Sequence, residues 1–292
     1  MDSEVAKRER SKNRGSGPGR RVARPGMPGT RAADDGKRTE HQSAAYFVQS
    51  LARGLDVVQA FGADARVMTL GQVAARTGMS RAAARRYLLT LRDLGFVEMQ
   101  GSYFNLKPRI LELGYAYLSS LELWQVVQPI LENLVAAVRE SSSVSVLDSP
   151  DIVYVARVQV KRIFSSAVSI GTRLPAFATA MGRVQLAGAS PAELDDFFAR
   201  AKLTKLTDHT ITSEARLRQI IARVRVEGYA VVDQELEFGL RSIAVPIKDR
   251  AGKTIAGLNI SSHAARIEVS EMIARYLPHL RAASAEVTSH LP

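Results

Sequence analysis

From Phe47 the hydrophobic positions recur at three- and four-residue steps. In FVQSLARGLDVVQAFG, Leu51, Leu55, Val58 and Phe61 share one face, so residues 47–62 read as an amphipathic helix ended by Gly62. MTLGQVAARTGM puts Leu70, Val73 and Ala74 on a short helix that Thr69 can cap, and Gly78 supplies the positive φ of a tight turn. Ser80 caps the next helix, RAAARRYLLTLRDLGF, which stops at Gly95. FVEM and SYFNL then read as short strands on either side of Gln100-Gly101-Ser102. Three helices and a hairpin within residues 45–107 form a winged helix-turn-helix arrangement.

Pro108 can open a long helical stretch, RILELGYAYLSSLELWQVVQPILENLVAAVRE, interrupted near Ser119-Ser120 and Pro129. Its first part, residues 108–122 with Ile110, Leu113 and Tyr117 on one face, suits a linker that also dimerises. Beyond Ser141 the pattern alternates: VSVLD and DIVYVARVQV read as strands joined by Ser149-Pro150, and AVSIG follows as another. LPAFATAMGRVQLAGA, PAELDDFFARA and SEARLRQIIARVRVEG each hold a helix. YAVVDQELE, RSIAVPIKD and TIAGLNIS return to strands, and a last helix starts at Val269. Strands and helices mix without strict alternation, which gives fold class α+β rather than a doubly wound sheet.

The helix after Ser80 has unusual surface chemistry. With Ala84 at the centre of its buried face, Leu88, Leu91 and Gly95 fall beside it, while Ala82, Arg85 and Arg86 fall on the opposite half. A small residue flanked by arginines near the helix start suits entry into the major groove, where arginine binds guanine bidentately. The bland reading is a solvated arginine face. The preceding short helix, glycine turn and wing favour double-stranded DNA.

Charge agrees. The net charge is +11, and residues 1–107 carry nineteen Lys/Arg against ten Asp/Glu, leaving the rest of the chain nearly neutral. Residues 1–44 are rich in Gly, Pro, Arg and Ser without periodicity, and read as a disordered basic tail that is either solubilising or adds phosphate contacts. They hold hardly any large apolar residue, so no secretory leader is expected, and no apolar run approaches the ~18 residues of a membrane span. With no cysteine, disulfides and thiolate chemistry are excluded, and a reducing cytoplasm is the simplest compartment. The five histidines show no metal-binding spacing, and no G-x-S-x-G or phosphate-loop motif occurs. No cofactor or metal is expected. An enzyme is the weakest alternative. A non-specific architectural DNA binder leaves the neutral second half of the chain unexplained.

The motifs SLARGLDVVQAF, SRAAARRYLLTLRDLGF, LPAFATAMGRVQLA and DQELEFGLRSIAVPIKD, in this order, resemble the IclR family of bacterial transcriptional regulators. The combination looks most like its branch controlling aromatic-acid catabolism (protocatechuate, 4-hydroxybenzoate, β-ketoadipate). The resemblance implies a winged helix, a linker helix and a GAF-like effector-binding domain over residues 123–292. It also implies dimers or tetramers on a palindromic operator of a catabolic operon, and a small acidic effector. Two positions depart from the pattern: Phe177 stands where many relatives carry histidine, and Val232 where many carry a ligand-facing aspartate.

The candidate DNA-facing residues are Arg53, Thr69, Ser80, Arg81, Ala82, Arg85, Arg86, Gln100 and Ser102. For the effector, Thr179 can cap a helix whose first turn, Ala180, Met181 and Gly182, offers unpaired N–H groups to a carboxylate. Gly182 would keep the approach open, while Met181 and Phe177 cover a carbon skeleton. The alternative is a helix start satisfied by water or its own loop. Asp233, Glu235 and Glu237 would share one face of a strand, either solvated, paired with Arg241, or meeting a ligand hydroxyl. Arg241, Ser242, Asn259 and Ser261 can add polar contacts. Arg157, amid apolar strand residues, reads as an internal ion-pair partner before a ligand clamp.

Overall fold

Side-chain caps begin the two helices of the helix-turn-helix. The computed structural model describes residues 46–62, 64–120, 122–160 and 168–291, so the expectation for the basic tail lies outside the described residues. Helix α1 (Gln49–Gln59) leads to strand β1 (Val67–Thr69) and helix α2 (Leu70–Thr77), where Thr69 and Gln72 form a capping box. Gly78, at φ 66°, closes α2 in the left-handed region. Helix α3 (Arg81–Asp93) follows, with Ser80 Oγ accepting from Ala83 N at 3.2 Å. Strands β2 (Val97–Gln100) and β3 (Tyr103–Leu106) make the wing, and β1 joins them in the order β1-β3-β2. The turn between them holds Gly101 at φ 61°.

This part has its own core, built on Val57, Ala60, Met68, Val73, Ala84, Leu88, Val97 and Phe104. The expected face of α1 needs correction. Phe61 is buried as expected, but it joins Val57 and Ala60, whereas Leu51 and Leu55 are 63% and 47% exposed. Four-residue spacing set a stripe, but packing against α2 and α3 turned the neighbouring stripe inward.

A 3-10 turn (Pro108–Ile110) then leads into α4 (Leu111–Ser120) and α5 (Glu122–Val138). Pro129 does not interrupt α5, contrary to expectation. It sits on the exposed side of the helix, where a carbonyl deprived of its N–H partner can turn to water.

The remaining strands form one antiparallel sheet: β4 (Ser141–Asp148), β5 (Asp151–Val158), β6 (Arg173–Pro175), β7 (Ala230–Asp233), β8 (Leu240–Lys248) and β9 (Thr254–His263), in the order β6-β5-β4-β9-β8-β7. Alternate residues enter different cores. Val144, Ile243, Leu258 and Ile260 pack with α5 and the C-terminal α9 (Val269–His290). Tyr154, Val232 and Ala244 pack with α6 (Ala180–Gly188), α7 (Pro191–Arg200) and α8 (Glu214–Glu227).

Of two expected strands, one is absent among the described residues and the other is short. Ser169 to Gly171 form a turn, with Ser169 N held by Thr172 Oγ1 at 3.0 Å; the pairing strand begins only at Arg173. The run YAVVDQELE leaves the sheet after Asp233. Gln234 adopts φ 58°, and its side-chain oxygen accepts from Gly239 N at 3.1 Å, so the chain reverses before β8. Asp233, Glu235 and Glu237 therefore do not share a strand face.

Candidate nucleic-acid interface and effector site

Helix α3 fixes its position through Ala84 and Leu88, which are both fully buried. The other side is exposed, and it carries Arg81, Ala82, Arg85 and Arg86. Spacings of three and four residues bring these into one patch. Among the described residues, the three guanidinium groups make no hydrogen bond or ion pair. Arg92, at the other end of the helix, is held by Asp93 at 2.7 Å. The arginines without protein partners thus cluster at the helix start, where a major groove would meet them.

The rest of the expected DNA set is mixed. Arg53 is exposed on α1, and Ser102 is exposed at the wing tip. Thr69 and Ser80 use their hydroxyls as caps. Gln100 donates to Glu98 at 3.1 Å, and Asn105 donates to the other Glu98 oxygen at 3.3 Å. These bonds hold the Glu98 carboxyl below its ordinary pKa, so the wing keeps one negative charge beside its tip.

In the second half of the chain, α6 is buried on every side from Ala180 to Ala187. Thr179 caps it as expected, with its Oγ1 accepting from Gly182 N at 3.1 Å. Gly182 has a different role from the one expected. A Cβ there would stand 2.1 Å from Ala176 O, so glycine is required because the preceding 3-10 turn (Ala176–Ala178) crosses the helix, not because a ligand approaches. Phe177 and Met181 are buried beside it.

Two ion pairs organise the adjoining turn. Arg183 meets Glu235 through two parallel bonds of 2.7 Å and donates to Phe177 O at 2.9 Å; its side chain is only 2% exposed. Ile211 N also donates to Glu235, at 3.1 Å. Asp233 is held by Arg241 through bonds of 2.8 and 2.9 Å, which draw its carboxyl below the ordinary aspartate value. Asp233 and Glu235 are therefore both engaged with arginines at this turn. Sequence reasoning missed Arg183. The signal was present, since a cation inside the otherwise uncharged run AMGRVQLA must find a buried acid.

A polar chain crosses the sheet on the side facing α6. Arg157 Nη1 donates to Ser143 Oγ at 3.1 Å, Ser143 N donates to Asn259 Oδ1 at 3.0 Å, and Asn259 Nδ2 donates to Ser242 Oγ at 3.0 Å. Burial pushes the Arg157 pKa down and the Tyr154 phenol up to about 12. Gln185 lies over the same face, giving its amide N–H to Ser145 Oγ and Met181 O at 3.1 Å each. Its buried carbonyl oxygen has no hydrogen-bond partner among the described residues. Ser261 is partly buried, paired across β8 with Ser242. The structure thus joins Ser242 to Asn259, brings Arg157 to Ser143, and sets Gln185 over the same face, residues scattered over the sequence.

Comparison with known proteins decides the identity. Residues 50–101 match the IclR helix-turn-helix domain, and residues 115–289 match the C-terminal domain of the bacterial transcriptional regulator IclR. The chain belongs to the IclR family. It is 44% identical over 246 residues to the Pca regulon regulatory protein of Pseudomonas putida, covering 84% of each chain. It is 37% identical over 246 residues to the p-hydroxybenzoate hydroxylase transcriptional activator of Acinetobacter baylyi, covering 82% of this chain and 91% of that one. An IclR homologue from Microbacterium hydrocarbonoxydans, solved with 4-hydroxybenzoate, superposes with a TM-score of 0.74 at 25% identity, over 83% of this chain and 98% of that one. The chain is accordingly a DNA-binding transcriptional regulator of the IclR family and not an enzyme. Among the described residues, no helix is long and apolar enough to cross a membrane.

Proposed function

We propose that this IclR regulator reads a palindromic operator as a dimer, alone or paired into a tetramer, and that a small aromatic carboxylate alters the complex. The observation that carries the DNA assignment is the patch of Arg81, Ala82, Arg85 and Arg86, exposed and free of protein partners, on a helix whose opposite side is anchored by Ala84 and Leu88. The apolar side chains left exposed on residues 108–122, Leu111, Leu113, Tyr115 and Tyr117, with Leu51 and Leu55 of α1, support self-association through this linker. The effector-binding part is residues 123–292.

Within that part, the polar chain of Ser143, Arg157, Ser242, Asn259 and Ser261 is the proposed ligand floor, closed above by the start of α6 with Phe177 and Met181. Arg157 would take the carboxylate, and the unmet carbonyl of Gln185 would accept from a ring hydroxyl. The homologue solved with 4-hydroxybenzoate, and the relatives named for the Pca regulon and for p-hydroxybenzoate hydroxylase, support this ligand class. The test has two arms. DNA recovered from a random pool by the full chain should contain an inverted repeat. Calorimetry should then show heat of binding for 4-hydroxybenzoate or protocatechuate and none for 4-hydroxybenzamide. A pool with no enriched sequence would point to non-specific binding, and preference for the neutral amide would refute the anion site.

A further inference from the structure

The chain leaves the wing at Leu106 and stays tied to the segment that follows the recognition helix. Lys107 N donates to Phe96 O at 2.8 Å. Two residues later Arg109 reaches back: its Nη1 donates to Leu94 O at 3.0 Å, and its guanidinium lies over the Phe96 ring, 5.4 Å from the centroid. Glu112, one turn further along, holds Nε at 3.3 Å and aims the group. Leu94 is the C-cap of α3, so the arginine sits where helix carbonyls lack partners and the helix end is negative. Gly95 follows at φ 83°, and a Cβ there would stand 3.2 Å from Nη1.

Other arginines close helix ends in the same way. Arg76 donates to Ala60 O, and Arg225 to Ala187 O. Each of those joins two elements that already share a core. Arg109 differs, because it ties the recognition helix to the linker, whose apolar face is exposed.

We propose that Arg109 is a positioning residue for operator binding. It locks the C-terminal end of α3 to the first turn of the linker, so the direction of the linker sets the orientation of the recognition helix. In a dimer joined through the linkers, this fixes the separation of the two recognition helices and hence the half-site spacing that is read. The proposal rests on the dimer reading above.

The experiment uses the full chain as wild type, Arg109→Ala and Arg109→Lys. Binding is measured to the inverted repeat enriched by the wild type, to the same repeat with its spacer shortened or lengthened by one base pair, and to unrelated DNA; thermal unfolding runs alongside. Arg109→Ala should bind the repeat about 5- to 10-fold more weakly, the loss of one half-exposed charge-assisted hydrogen bond. Its preference among spacers should flatten, with binding to unrelated DNA and the unfolding midpoint close to wild type. Lysine keeps the charge and one bond but not the planar stack, and should fall between. An unchanged spacer profile in Arg109→Ala overturns the proposal and leaves the dimer reading in place. Equal losses on all DNAs with a lowered midpoint also overturn it, showing a helix cap alone. A wild type indifferent to spacing overturns both.

Discussion

Helices α3 and α6 begin alike and end up in opposite roles. Each starts on a hydroxyl cap, Ser80 or Thr179, continues with small residues, and carries an arginine within its first turns. Helix α3 buries Ala84 and Leu88 and leaves its arginines to solvent, whereas α6 is buried from Ala180 to Ala187. In α3 the small Ala82 leaves room for an outside partner. In α6 the room is filled by the protein itself: the Ala176 backbone lies against Gly182, Thr254 against Gly188, and Gly257 of β9 against Met181 and Gln185. The arginine of α6 faces Glu235 instead of an external anion. Small residues beside arginine therefore signal close approach, and burial determines whether the approaching group can come from outside or is the chain's own backbone.

The largest effect should come from breaking the buried pair. Glu235→Ala leaves Arg183 without a counter-charge in a site where its side chain is 2% exposed, which should cost about 3–5 kcal/mol. Urea unfolding of the variant measures this. A loss below ~1 kcal/mol would mean that Arg183 has another outlet, and the contrast between the helices would weaken.

Next in size, Gly182→Ala must displace the Ala176 backbone from a Cβ placed at 2.1 Å, an overpacking cost of about 1–3 kcal/mol. The matching change in α3, Ala82→Leu, adds bulk to an exposed site. It should change stability by less than ~0.5 kcal/mol while obstructing operator binding. Paired unfolding and DNA-binding curves for the two variants would sharpen the comparison, and equal destabilisation would break it.

Arg85→Ala or Arg86→Ala should weaken operator binding by roughly 1–3 kcal/mol for a base contact, with the unfolding transition unmoved. A phosphate contact would instead weaken all sequences alike. Wild-type affinity in both variants would remove the recognition-helix assignment.

The smallest effect belongs to the more exposed ion pair of the same turn. Arg241 holds the Asp233 carboxyl below its ordinary value, so its contribution is fully present above the unfolded aspartate value of about 3.9 and fades as pH falls through the lower folded value. Asp233→Asn should therefore lower the unfolding midpoint at neutral pH and converge on wild type in strong acid. A midpoint difference that persisted there would assign the effect to packing.

Local chemistry made much of the molecule readable. Thr69, Gly78, Ser80 and Thr179 hold the caps and turn that their residue types favour, because those preferences arise within a few residues of backbone. The exposed face of α3 also followed from its sequence, since a helix anchored through Ala84 and Leu88 must present Ala82, Arg85 and Arg86 outward. What lay beyond local chemistry was the choice among equivalent faces and partners. The expected stripe of Leu51, Leu55, Val58 and Phe61 is as apolar as the one through Val57, Ala60 and Phe61, and only the arrival of α2 and α3 selected between them. Glu235 left its expected strand because Gln234 reversed the chain and Arg183, far away in sequence, offered two bonds in a dry site. The polar chain from Arg157 to Ser242 exists only because antiparallel register sets β5, β4, β9 and β8 side by side. Short-range propensity fixes caps, turns and amphipathic faces residue by residue, whereas a buried charge or a polar chain across strands depends on which distant segments the fold brings into contact.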